Sequence, residues 1–353
     1  MILSSETLEQ TIDGDQVATF IKDIVLTRSV GLDDKGREVR LAMTRKRRVA
    51  GDTDAAVLLI HGYGQNRYVW SLPARSFANY LAAAGLDVFS LDLRGHGRSR
   101  HMGAHPPKDV AEYVREDVPA AVEQVLKLSG HDRLFFMGHS LGGLISYAAA
   151  PSHERHVAGI ITLGSPYHFT RGSRFLSLFG GAMLMADRAL ELGQTAVPLK
   201  LAGEAMRLAR VFVESPLFPL PIRGYAPRSM EPRVLGQHMS LAMDIGSLAV
   251  LRAMFLRAAE ARATRHRLGV LYGFASAFEA LELPLLVIAG SVDGLAPPEA
   301  VRPAYERSAS PDKTYRAFPR GHIDLLVGRD TPLTIWPLVL SWMRTRIRAS
   351  AAA

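Results

Sequence analysis

The chain has 353 residues, 48% hydrophobic and 22% charged, the mix of an ordinary globular protein able to bury a large core. It contains no cysteine, which excludes disulfides, thiolate metal sites and a cysteine nucleophile. Its formal charge of +8 is uneven, because residues 165–280 hold 14 Lys plus Arg against 8 Asp plus Glu. Such an excess suits anionic lipid or acidic substrates, and no nucleic-acid motif accompanies it, so no specific nucleic acid is expected. The first fifteen residues are polar and acidic, without the basic-then-apolar pattern of a signal peptide. The most apolar window, 175–186, is too short to span a bilayer. A cytoplasmic protein is the expectation.

In chain order, residues 17–30 and 38–44 alternate apolar and polar side chains around Gly31-Leu32-Asp33-Asp34-Lys35-Gly36, the pattern of an antiparallel hairpin. Residues 55–60 are continuously apolar, as a central parallel strand covered on both faces requires. The loop His61-Gly62-Tyr63-Gly64-Gln65 follows, then a helix over 75–84 ending at Gly85. A strand over 86–91 empties into Asp92-Leu93-Arg94-Gly95-His96-Gly97-Arg98-Ser99, and a helix is expected over 108–128. Strands at 134–137 and 157–163 flank a helix at 144–150. The alternation then stops at Ser165 and resumes with strand 283–289, helix 297–308, strand 315–318, helix 332–348 and a frayed tail. Between 165 and 280 the periodicity is helical, broken by Pro198 and the proline-rich stretch 216–232. These observations imply a mostly parallel α/β sheet with an antiparallel N-terminal hairpin and helices on both faces. Its core would be residues 1–164 and 281–353, with 165–280 inserted as a mainly helical cap.

Gly138-His139-Ser140-Leu141-Gly142 lies between an expected strand and an expected helix, which makes it a nucleophile elbow of the G-x-S-x-G type. A strand turning sharply into a helix brings the backbone back on itself, so the positions two before and two after the apex must lack side chains. A serine at the apex is a poor nucleophile until a base takes its proton and a carboxylate orients that base. Two later loops match the order serine, acid, histidine: Gly290-Ser291-Val292-Asp293-Gly294 and Gly321-His322-Ile323-Asp324, each just after an expected strand. Ser140, Asp293 and His322 are therefore the candidate catalytic residues, with Asp324 the runner-up acid. The backbone N–H groups of Leu141 and Tyr63 are the candidate oxyanion donors. His139, His61 and His96 read as structural, His101 and His105 as exposed loop residues, and neither a metal nor a cofactor is called for.

On these motifs the chain resembles an α/β-hydrolase of the serine esterase and lipase kind over residues 55–164 and 281–345. The segment 58–64 is similar to the family's oxyanion loop and 92–99 to its D-x-R-G-x-G-x-S loop. The resemblance implies that Ser140, Asp293 and His322 are nucleophile, acid and base. Gly321-His322-Ile323-Asp324-Leu325-Leu326-Val327-Gly328, with Trp336-Pro337 and Trp342 beyond it, is also similar to the C-terminal end of polyhydroxyalkanoate synthases, which use a cysteine nucleophile. The expected activity is hydrolysis of carboxylic esters with medium or long acyl chains, monoacylglycerol-like, lysophospholipid-like or hydroxyalkanoate. The alternatives are an acyltransferase or thioesterase with the same triad, or a non-catalytic scaffold. Seven of the twelve methionines (Met183, Met185, Met206, Met230, Met239, Met243, Met254) fall in 165–280, an adaptable lining for an acyl pocket if they share a face.

Overall fold

A computed structural model describes residues 1–32, 36–190, 196–197, 199–209, 224–264 and 273–352. Nine strands form one sheet: β1 (Ile2–Asp13), β2 (Gln16–Leu32), β3 (Glu38–Arg48), β4 (Ala56–Ile60), β5 (Asp87–Asp92), β6 (Leu134–His139), β7 (Val157–Leu163), β10 (Leu285–Gly290) and β11 (Lys313–Phe318). Two short strands, β8 (Ala196–Val197) and β9 (Gly246–Ser247), pair separately. The order across the large sheet is β1-β2-β3-β5-β4-β6-β7-β10-β11. The first three strands are antiparallel to their neighbours, and the six from β5 to β11 run parallel. The hairpin read from residues 17–44 is the β2/β3 pair, although its turn residues 33–35 lie outside the described residues.

Burial follows position in the sheet. Every residue of β4, β6 and β10 is buried, which is why these segments read as unbroken apolar runs. The two faces carry separate apolar clusters, one around Leu58, Ile60, Phe136 and Ile145, the other around Val57, Met137, Ile161 and Trp336. Strand β1 has no apolar run to mark it in the sequence, because it is an edge strand, largely exposed and polar, whose order comes from backbone pairing with β2 rather than from a buried face.

Helices fall close to expectation, and the departures have local causes. Helix α1 (Phe77–Ala83) begins where the Ser76 hydroxyl accepts the Asn79 N–H at 3.0 Å. The helix expected over 108–128 is interrupted by a π turn at Tyr113–Asp117 before α2 (Val118–Ser129). The expected helix over 297–308 is two, Pro298–Val301 and Pro303–Arg307, because Pro303 has no N–H to continue the first. Helix α3 (Leu141–Ala149) starts at the elbow itself. Between β7 and β10 the longer described elements are α4 (Arg174–Leu190), α5 (Leu199–Leu208) and α6 (Leu248–Ala263). The last helix, α7 (Thr331–Ala352), runs through the tail that was expected to fray. Among the described residues no helix is long and apolar enough to cross a membrane.

One buried charge inside the sheet gives a stability prediction. The Lys46 ammonium on β3 donates to Ser71 Oγ and Asn79 Oδ1, both at 2.7 Å, and is almost fully buried. Desolvation, with the nearby charges of Lys22 and Arg67, pushes its pKa down from 10.5 to about 7. Below that value both folded and unfolded chains hold the proton, and the fold bears the full cost of the buried charge. Between about 7 and 10.5 only the unfolded chain holds it, so stability rises with pH through this window. Denaturant midpoints of wild type and Lys46→Met should therefore differ less unfavourably for the wild type at pH 10 than at pH 6. Parallel curves across that range would refute the buried-charge account.

Candidate active site

The elbow is built as the glycine spacing requires. Ser140 sits between β6 and α3 with φ 55° and ψ −123°, a conformation few non-glycine residues adopt. A Cβ on Gly138 would stand 2.3 Å from Gly143 N, and one on Gly142 would stand 2.1 Å from Ile60 O. Neither position has room for a side chain. The Ser140 N–H donates to Leu163 O at the end of β7, at 3.0 Å, which ties the apex to the neighbouring strand.

The two later loops meet beside that point. His322 Nδ1 lies 2.7 Å from Asp293 Oδ2, and both side chains are buried. The other carboxylate oxygen of Asp293 accepts the N–H groups of Leu295 and Ala296, each at 2.8 Å, so the acid is fixed on both oxygens. Gly164 follows Leu163 and has φ 56°. A Cβ there would lie 3.1 Å from His322 Nδ1 and 3.2 Å from Asp293 Oδ2. The end of β7 thus touches the serine backbone on one side and the His322–Asp293 pair on the other. The structure brings these three sequence candidates to one place.

Asp324 is buried a short way off with its carboxylate already engaged. Its Oδ2 accepts the N–H groups of Gly321 and Ala226 at 2.8 and 2.7 Å, and Oδ1 accepts the Ser229 hydroxyl at 2.7 Å. Burial pushes this carboxyl up from the usual range against those hydrogen bonds. Together with the Ile323 N–H to Gly224 O bond at 2.8 Å, it pins the His322 loop to residues 224–229.

Residues 61–65 pack against the serine. A Cβ on Gly62 would come 3.0 Å from Ser140 Cβ, so this backbone passes as close to the apex as glycine allows. Tyr63 follows it and anchors outward, its hydroxyl donating to Ser247 O at 2.9 Å. Leu141 is the first residue of α3, where N–H groups have no intrahelical acceptor. His139 is fully buried, with Nδ1 3.2 Å from Gln65 Oε1 and Nε2 3.2 Å from His322 O. Desolvation holds this imidazole well below its ordinary pKa, and a neutral ring donates only one of those two bonds at a time.

Residues 55–188 match the family described as having the alpha/beta hydrolase fold. With the mixed sheet and the elbow after β6, that decides the class. The chain has the α/β-hydrolase fold. It is 25% identical over 309 residues to a poly(3-hydroxyalkanoate) polymerase subunit of Haloferax mediterranei, across 83% of this chain and 59% of the relative. A second such subunit, from Haloarcula marismortui, is 23% identical over 84% of this chain and 62% of its own length. The chain thus spans less than two thirds of the length of these relatives. Among solved structures, an esterase from Thermogutta terrifontis superposes with a TM-score of 0.59 at 18% identity, covering 92% of this chain and 98% of that one. A monoglyceride lipase from Saccharomyces cerevisiae gives 0.58 at 17% identity, with 97% and 96% covered.

Around this centre, the loop 92–99 acts as a strut. Asp92 accepts the N–H groups of Arg67 and Arg98 at 2.8 and 2.9 Å, and Arg94 is paired to buried Asp117 at 2.7 Å. Burial pushes the Asp117 carboxyl up to about 6 although Arg94 pulls it down. His61 Nε2 accepts the Leu93 N–H at 3.1 Å while Nδ1 donates to Gly62 O at 2.9 Å, which locks one neutral tautomer and couples both loops. His101 and His105 are exposed.

Two features depart from the sequence reading. His238 is fully buried in a π turn, its pKa lowered to about 4 by desolvation and by His322, with neither ring nitrogen hydrogen-bonded among the described residues. No motif marks it, and only the fold brings it near His322. The methionines, in turn, do not share one face. Met230 and Met239 fill the core, Met185 is exposed and Met254 lines a cavity beside α6.

Proposed function

We propose that the chain is a serine hydrolase of carboxylic esters working through an acyl-enzyme. Ser140 Oγ attacks the ester carbonyl, His322 Nε2 takes the serine proton and returns it to the leaving alcohol, and Asp293 holds the imidazole with its proton on Nδ1. The N–H groups of Leu141 and Tyr63 receive the oxyanion. Water then repeats the cycle on the acyl-serine. The observation that carries this reading is the 2.7 Å contact of His322 Nδ1 with Asp293, set against the strained Ser140 through Leu163 and Gly164. Residues 165–280 serve in it as the cap over the acyl side, and small-molecule esters are the substrates.

A second reading, acyl transfer by the same residues, is favoured by the likeness to polymerase subunits over most of the chain. The two differ only in the acceptor. Turnover of p-nitrophenyl esters of increasing chain length tests the shared chemistry, and adding an alcohol acceptor separates the readings. Free acid as sole product supports hydrolysis, and a new ester supports transfer. No turnover of any ester or thioester would sink both and leave a binding protein on a hydrolase scaffold.

A further inference from the structure

A cavity of about 590 Å³ opens between the segment after β7 and helices α4 and α6, within the size range of small-molecule sites. Its wall begins at Leu144, one turn into the helix that Ser140 caps. Leu144, Phe169, Met254 and Ala258 give it an apolar floor. Arg171, Arg174, Arg257 and Arg262 line the same space, and among the described lining residues there is no carboxylate. Arg257 is paired at 3.0 Å to Glu260, which does not line the cavity. Arg262 Nη1 is held by two hydroxyls instead, Thr170 Oγ1 at 2.8 Å and Ser177 Oγ at 2.9 Å.

One residue of this wall is strained. Thr170 lies on the cavity wall, buried, with φ 70°, an outlier for a β-branched side chain. Its hydroxyl is one of the two that orient Arg262. Arg171, Arg174 and Arg262 converge here over an apolar surface with no acid partner among the described residues, and their planar forks match carboxylate or phosphate. We propose that this cavity holds the anionic end of an amphiphilic ester, a carboxylate or a phosphate, with the hydrocarbon lying on the floor towards Leu144. The assignment rests on the hydrolase reading for its substrate role, and it narrows that reading to esters carrying a negative charge remote from the reacting carbonyl.

The experiment is calorimetric titration of the full chain with octanoate, octyl phosphate and octanol, repeated on Arg171→Gln/Arg174→Gln. These two arginines are exposed, so the variant should fold. At least one anion should bind about tenfold or more tighter than octanol, the factor a single charge-assisted hydrogen bond carries. That preference should vanish in the double variant and weaken as salt is raised. Whichever anion wins identifies the head group. Octanol binding as tightly as both anions, or a preference that survives in the variant, would overturn the assignment. Hydrolysis of neutral esters without anion binding would defeat the cavity alone, whereas anion binding without any ester turnover would defeat the hydrolase reading and leave the site standing.

Discussion

Ser140→Ala should lower kcat by roughly 10⁴ or more and abolish labelling by a fluorophosphonate probe, with the fold intact. Alanine keeps the Cβ and therefore the strained backbone, so the loss would be chemical. Strain of the kind at φ 55° costs about 1–3 kcal/mol, and glycine adopts such angles freely. Ser140→Gly should accordingly be as inactive as Ser140→Ala yet more stable than it, by up to about 2 kcal/mol after glycine's extra entropy is counted. Labelling of Ser99 or Ser165, with Ser140→Ala still active, would remove the nucleophile from its place. The relative denaturant midpoints of the two variants test the strain separately from the chemistry.

How far the sequence leads can be seen by comparing Ser140 with His238. The elbow is legible because its constraint is local: Gly138 and Gly142 are dictated by backbone atoms within one turn and by the adjacent strand. Asp293 follows a strand whose apolar run is unmistakable, whereas His322 follows the half-exposed Lys313–Phe318, and parallel strands deliver both ends to one edge. His238 carries no such mark. Its neighbourhood is made by a π turn and by a loop more than eighty residues away, and no spacing rule encodes that meeting. The arginines of the cavity were visible only as an excess of charge between 165 and 280, since their convergence depends on how α4 crosses α6. The methionines mislead for the same reason: composition counts them together, and packing sends them to different places.

Asp293→Asn should cost about 10⁴ in kcat, and Asp324→Asn less than about tenfold. The difference follows from what each carboxylate accepts. Oδ1 of Asp293 receives two backbone N–H groups at 2.8 Å, and an asparagine there would turn its carbonyl oxygen towards them. Its NH₂ group would then face His322 Nδ1, where a carboxylate oxygen had been at 2.7 Å. A donor in that position forces Nδ1 to accept and moves the imidazole proton to Nε2, so the ring can no longer take a proton from serine. Asp324 faces no imidazole. Its partners are Gly321, Ala226 and Ser229, and its carboxyl is already pushed towards the neutral form by burial. An amide oxygen can keep the two backbone bonds, while the charge-assisted bond from the Ser229 hydroxyl gives way to a weaker neutral one, which loosens the tie between the His322 loop and residues 224–229 without altering the tautomer. The cost of Asp324→Asn should therefore fall on stability, about 1 kcal/mol for one weakened hydrogen bond, and be read in the denaturant midpoint. Steady-state kinetics on a single p-nitrophenyl ester decides between the two acids. If Asp324→Asn proves the slower enzyme, the acid is Asp324 and the contact between His322 and Asp293 is structural.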